Sequence, residues 1–188
     1  MLDQDEDSLW QTATQMFHSG NYSACETALR NILAQNPNAL RARYNLAQIV
    51  SKGENARDSV PMFCDCIRRQ FQVEGCVRRV VSLYIKEREF RVALRFYKGY
   101  VTPEIESEDL MQLKCLALFR LKEYEDCRKV AGQMLLRNND NHEAYFTLAL
   151  VGEALGNIPD AIDSMRIALY LEPKDKYAQT LRRLRAAS

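Results

Sequence analysis

The chain is expected to fold as an all-α solenoid of antiparallel helix pairs, and three observations carry that expectation. The sequence repeats every thirty-four residues without insertion or deletion, so cuts at 6–39, 40–73, 74–107, 108–141 and 142–175 align residues of like kind. Two columns hold small side chains: Ala13, Ala47, Val81, Cys115 and Ala149 in one, and Cys25, Ser59, Ala93, Cys127 and Ala161 in the other. Larger residues recur between and after them, as in Leu29, Phe63, Tyr97, Ala131 and Met165, and in Ile32, Cys66, Tyr100, Met134 and Ala168. Small columns facing large ones at helical spacing are what interdigitated helices need. A fixed period of this length means that each unit buries its apolar face only by stacking on a neighbour.

The elements follow in order. Residues 1–5 read as a short acidic extension. The first copy breaks at Ser19-Gly20-Asn21, which splits it into two helices of about a dozen residues, and Pro37 closes the second helix because proline lacks the backbone donor. The second copy breaks at Lys52-Gly53-Glu54-Asn55. There Ala56 replaces the aromatic expected after the turn, and Pro61 falls in the first turns of a helix it is expected to bend. The third copy turns at Lys86-Glu87-Arg88-Glu89 and ends near Pro103. In the fourth, Lys114 stands where Leu46 and Leu148 stand, which predicts a helix slightly rotated from its neighbours. The fifth turns at Gly156-Asn157, with Pro159 tolerated at a helix start and Pro173 at its end. Residues 176–188 then place Tyr177, Leu181 and Leu184 on one face, as a capping helix over the last repeat requires.

This alternation resembles the tetratricopeptide repeat (TPR) family. The resemblance rests on Asn45-Leu46-Ala47, Gly20-Asn21-Tyr22, the small residues Ala93 and Ala161, and the pairs Asn36-Pro37 and Glu172-Pro173. It covers residues 6–175 and implies a right-handed solenoid whose first helices line a concave face.

Composition narrows the function. At 188 residues and 47% hydrophobic, the chain can bury a substantial core, and no apolar run of membrane-spanning length occurs. The acidic start is not a secretory signal. Cys25, Cys66, Cys115 and Cys127 sit in core columns, where a free thiol serves as a small apolar group. That use of cysteine implies a reducing, cytoplasmic setting. The only two histidines, His18 and His142, lack metal-site spacing, and no phosphate-cradling glycine loop occurs. No cofactor, no metal and no catalytic constellation is expected.

The reading that remains is a non-catalytic protein-interaction scaffold or adaptor, alone or within a larger complex. Co-chaperone, secretion-chaperone and nucleic-acid-binding roles are the alternatives. The resemblance places Arg41, Tyr44, Asn45, Gln48, Lys52, Arg78, Arg79, Lys86 and Phe119 on the groove, with Asp7, Trp10, Gln11, Thr14, Phe17 and His18 in the first copy. Residues 1–39 are net −4, copies two and three net +3 and +2, copy four neutral and copy five net −4. A basic centre suits an acidic protein or peptide segment, whereas the acidic ends oppose a nucleic acid running beyond it. The carboxylate clamp of heat-shock co-chaperones is matched only at Asn45 and Arg79, since Trp10, Thr14 and Gly75 supply none of its charge. The apolar set Leu113, Leu116, Phe119, Phe146 and Leu150 offers a surface for a partner helix or a second copy, unless the capping helix covers it. If an acidic segment docks on the basic centre, reversing Arg78 and Arg79 to glutamate abolishes its binding in a titration, and unchanged affinity excludes that site.

Overall fold

Helix boundaries follow the repeat punctuation. The computed structural model describes residues 4–186, with side chains from residue 8 onward. Among them lie eleven α-helices: α1 (Gln4–His18), α2 (Tyr22–Gln35), α3 (Leu40–Val50), α4 (Ser59–Arg68), α5 (Val73–Lys86), α6 (Phe90–Tyr100), α7 (Glu108–Arg120), α8 (Tyr124–Arg137), α9 (His142–Ala154), α10 (Ile158–Leu171) and α11 (Asp175–Ala186). No strand is found among the described residues, so the chain is an all-α helical-repeat solenoid. Residues 4 and 5, expected in an extension, open α1, and residues 1–3 of that extension lie outside the described residues.

The turns share one device. Gly20 and Gly156 adopt left-handed backbone angles (φ 77° and 79°), and Arg88 and Lys122 adopt the same conformation at the equivalent places (φ 63° each). A left-handed residue lets the chain reverse between two helices, and glycine reaches it without a Cβ clash. In the second copy the turn is reworked: a 3-10 turn at Ala56–Asp58 precedes α4. Pro61 therefore becomes the third residue of α4, where its missing N–H is one of those no helix satisfies, and the expected bend is replaced by a later start.

The chain divides into two compact units, Met1–Leu83 and Tyr84–Ser188, so the division falls within α5. In the first unit, Ala13, Cys25, Ala28, Leu29, Ile32, Ala42, Leu46 and Ile49 form one buried cluster across α1, α2 and α3. Burying these side chains is the main stabilising term, about 1.5–3 kcal/mol for each large one. Behind α3, the ring of Tyr44 meets Phe63 and Phe71 edge-on at 6.1 and 6.0 Å. Its hydroxyl would lie 2.9 Å from a Cβ on residue 75, which explains Gly75. Asp65 on α4 buries one carboxylate oxygen with no hydrogen bond. Ion pairs from Arg43 and Arg69 compensate that charge, pinning α3 to α4.

In the second unit, Cys115 and Cys127 show how the two small columns meet. The Cys127 thiol donates to the Cys115 carbonyl at 3.4 Å, and the Cys115 thiol approaches the Cys127 carbonyl at 3.8 Å. Their mutual hydrogen bond and burial raise the Cys115 pKa and keep that thiol protonated. A different close approach lies between α9 and α10, where a Cβ added to Gly152 would stand 3.2 Å from that of Ala161.

Lys114 does not rotate α7: Met111, Cys115 and Leu118 remain buried on its core face. Instead its ammonium lies 5.0 Å above the Tyr97 ring and 3.9 Å from Glu106. Glu106, in the loop 101–107, also accepts from the Tyr97 hydroxyl at 2.8 Å and from Arg137 at 2.7 Å. Burial, then the bond to Glu106, push the Tyr97 hydroxyl pKa up. One exception to the column pattern is Tyr100, which closes α6 and is 39% exposed. Its ring leans on Phe96 at 4.5 Å rather than entering the core.

Helix α11 covers α9 and α10, burying Tyr177, Leu181 and Leu184 with Ala149, Ala161, Met165 and Ala168. Polar contacts fix it in place. Glu143 accepts from Lys174 and Lys176, each at 3.2 Å, and Arg183 reaches Glu153 at 2.7 Å. The Tyr177 hydroxyl lies 2.8 Å from His142 Nδ1. Burial alone would raise the Glu143 carboxyl, yet bonds from Tyr177, Lys176 and Lys174 outweigh it and hold the carboxyl below its ordinary value.

Two stability measurements check this account. Lys122→Gly relieves a left-handed backbone at some cost in chain entropy, and is expected to raise stability by about 0.5–1 kcal/mol in chemical denaturation. Because the Glu143 carboxyl is depressed in the folded state, its stabilisation is full at neutral pH. It fades as the pH falls from about 4.3, the ordinary glutamate value, through the lower folded value. Glu143→Gln is therefore expected to cost about 1–2 kcal/mol at pH 7 and to remove this part of the acid destabilisation.

Candidate functional site

Four of the sequence-predicted groove residues converge in the first unit. Arg41, Asn45 and Gln48 recur along α3 at three- and four-residue spacing, so they share one helix face, and Lys52 continues the interval in the turn just beyond it. Together with Trp10, Thr14, Phe17 and His18 of α1 they border a cavity of about 270 Å³. Its floor is apolar, made by Ala13, Cys25, Leu29 and Ile49. These floor residues are core residues by pattern, and nothing in the sequence marks them as reachable from outside.

The rim is preset by local contacts. The Arg41 guanidinium lies 4.9 Å over the Trp10 ring, and the Lys52 ammonium 5.5 Å over that of Tyr22. Cation–π contacts of this kind hold long side chains in place while leaving their charge exposed to a ligand. Arg79 of α5 donates to Gln48 Oε1 at 3.1 Å, which leaves the Gln48 amide N–H groups to meet a bound chain. Arg78, on the same helix, is half-buried and already engaged.

Tyr44 is not among the residues bordering the cavity. It sits between Phe63, Phe71 and Gly75, and burial raises the pKa of its hydroxyl. Alternation along α3 explains this, since Tyr44 directly precedes Asn45 and so falls on another face of the helix.

The other predicted residues lie in the second unit. Phe119 leans on Tyr124 at 5.5 Å and against the buried cluster of α7, α8 and α9. Phe146 stacks on Tyr177 of the capping helix at 4.8 Å, so α11 covers part of the apolar set. Lys86 borders a separate cavity of about 360 Å³ with Ile85, Arg88, Phe90, Leu116 and Arg120. Arg88 and Phe90 were not legible as site residues, because Arg88 reads as turn punctuation and Phe90 as the start of α6.

No group of three or more His, Cys, Asp or Glu side chains among the described residues could hold a metal ion. No helix among them is long and apolar enough to cross a membrane. All six cysteines are free thiols, five of them buried. Cys76, which no column assigned to the core, is fully buried against Phe71.

The helix pairs and their periodic core define the class of protein: the chain has the tetratricopeptide-repeat fold. It superimposes on a tetratricopeptide repeat protein from Parabacteroides merdae ATCC 43184 with a TM-score of 0.86, at 16% identity, over 97% of this chain and 73% of the other. YrrB, described as a TPR protein with an unusual peptide-binding site, matches with a TM-score of 0.72, at 12% identity, over 91% and 88%. Yeast Tom70 matches with a TM-score of 0.69, at 15% identity, covering 99% of this chain and 40% of Tom70. No family model and no curated protein matches the chain.

Proposed function

We propose that the chain is a non-catalytic interaction scaffold that holds an extended segment of a partner protein against α1 and α3. The observation that supports this most is the cavity bordered by Trp10, Phe17, Arg41, Asn45, Gln48 and Lys52. At about 270 Å³ it falls just below the size of small-molecule sites, and it suits one or two side chains of a longer ligand. The amides of Asn45 and Gln48 can hydrogen-bond a peptide backbone, the apolar floor takes a side chain, and Arg41 and Lys52 favour acidic neighbours. Trp and Arg are the residue types that most often dominate binding energy at such surfaces. The buried free thiols favour a reducing, intracellular setting.

Trp10 is the only tryptophan in the chain, so its emission reports on the surroundings of this cavity. Titration with randomised nonapeptides enriched in Asp, Glu and Leu is expected to change Trp10 emission saturably. Arg41→Ala and Gln48→Ala should each weaken the interaction about tenfold, or about 1.4 kcal/mol. Emission unmoved by any peptide pool overturns the reading.

A further inference from the structure

The second cavity carries a charge pattern that the first does not. Lys86, Arg88 and Arg120 all border it, and all three are exposed. The basic residues Arg41, Lys52 and Arg79 of the first unit are engaged by a ring or a side chain. By contrast, no ion pair of Lys86, Arg88 or Arg120 is found among the described residues, whereas Arg128 pairs with Glu125 and Arg137 with Glu106. Glu87 and Glu89 flank Arg88 in the chain, but neither borders the cavity and each already holds an interaction of its own. Three cations are thus gathered around about 360 Å³ with no carboxylate among the residues that border it.

Such an arrangement costs stability, because like charges repel across a shared concavity. The apolar members define what relieves it. Ile85, Phe90 and Leu116 border the same space, and Leu116 is 41% exposed. A free inorganic ion leaves these surfaces wet, whereas a peptide covers them while delivering its charge. A carboxylate carries one negative charge. A phosphorylated side chain carries about −1.5 to −2 with three acceptor oxygens, which matches three separate donors and the planar fork of two guanidinium groups.

We propose that Lys86, Arg88 and Arg120 form a phosphoserine- or phosphothreonine-recognition site for a partner peptide, with Ile85, Phe90 and Leu116 taking an apolar residue beside the phosphate. This rests on the scaffold reading only in that the ligand is a peptide; the site and its chemistry are separate from the Trp10 cavity.

The test uses the full chain and fluorescein-labelled nonapeptide pools with randomised flanks and a fixed central phosphoserine, serine or glutamate, read by anisotropy. The phosphoserine pool is expected to bind at least about tenfold more tightly than the serine pool, and more tightly than the glutamate pool. Binding should weaken as salt rises from 50 to 500 mM, as exposed charge pairs do. Lys86→Ala and Arg120→Ala should each weaken it about tenfold, while Lys129→Ala, an exposed residue bordering neither cavity, leaves it unchanged. Both replaced side chains are exposed, and an unchanged thermal midpoint for either variant shows that the fold is kept. Equal binding of the three pools, or unaltered phosphopeptide binding by both folded variants, overturns the proposal. So does tighter binding of a single-stranded oligonucleotide of matched charge, which assigns the surface to nucleic acid. If Trp10 emission never responds but the phosphate preference holds, only the scaffold reading of the first unit fails.

Discussion

Close approach of two helices at a pair of small side chains governs this architecture. Between α9 and α10 the clearance at Gly152 leaves no room for even a methyl group without a shift of the Ala161 side chain or the Asn157 carbonyl. Between α7 and α8 the two small columns meet as two thiols, each near the other's backbone carbonyl. Where helices come this near, large neighbours such as Met165 and Met134 can bury fully on either side. Larger residues at the crossing would hold the helices apart and open voids along the whole hairpin, at about 1–3 kcal/mol for each overpacked site. The recurrence of Ala, Ser and Cys there follows from geometry.

Polar groups do different work. Apolar burial makes each hairpin, but it specifies poorly which loop lies where. Asp65 with Arg43, Glu106 with Tyr97 and Arg137, and Glu143 with Lys174 and Lys176 each join elements that hydrophobic packing leaves adjustable. Glu143 also explains the charge balance: the net −4 of the fifth copy is answered by basic residues around the capping helix. A charge map of the sequence therefore overstates what solvent meets at that end.

The periodicity carried the fold because it is written in side-chain size, and every residue of the two small columns is buried. Helix starts at Tyr22, Phe90, Tyr124 and Ile158 keep the interval, and the break comes at Ala56, where a 3-10 turn stands in. The face of α3 carrying Arg41, Asn45 and Gln48, with Lys52 just beyond it, was legible for the same reason. Tyr44 was not, because its place depends on Phe71 in the following turn and on the missing side chain of Gly75, contacts that no spacing rule reveals. Lys114 read as a disturbance because Glu106 and Tyr97 belong to a loop and a different helix. The unpaired cations around Leu116 were hidden in the same way: Arg88 reads as turn punctuation and Arg120 as a helix end.

The left-handed turn residue gives the scaffold an unusual freedom. Its backbone shape is enforced by the helices on either side, so the side chain it carries is decoupled from the fold. Gly20 and Gly156 use that latitude to relax; Arg88 spends conformational ease on a guanidinium held at the mouth of a cavity. Hairpin corners of this kind can diversify chemically while the spine beneath them stays constant.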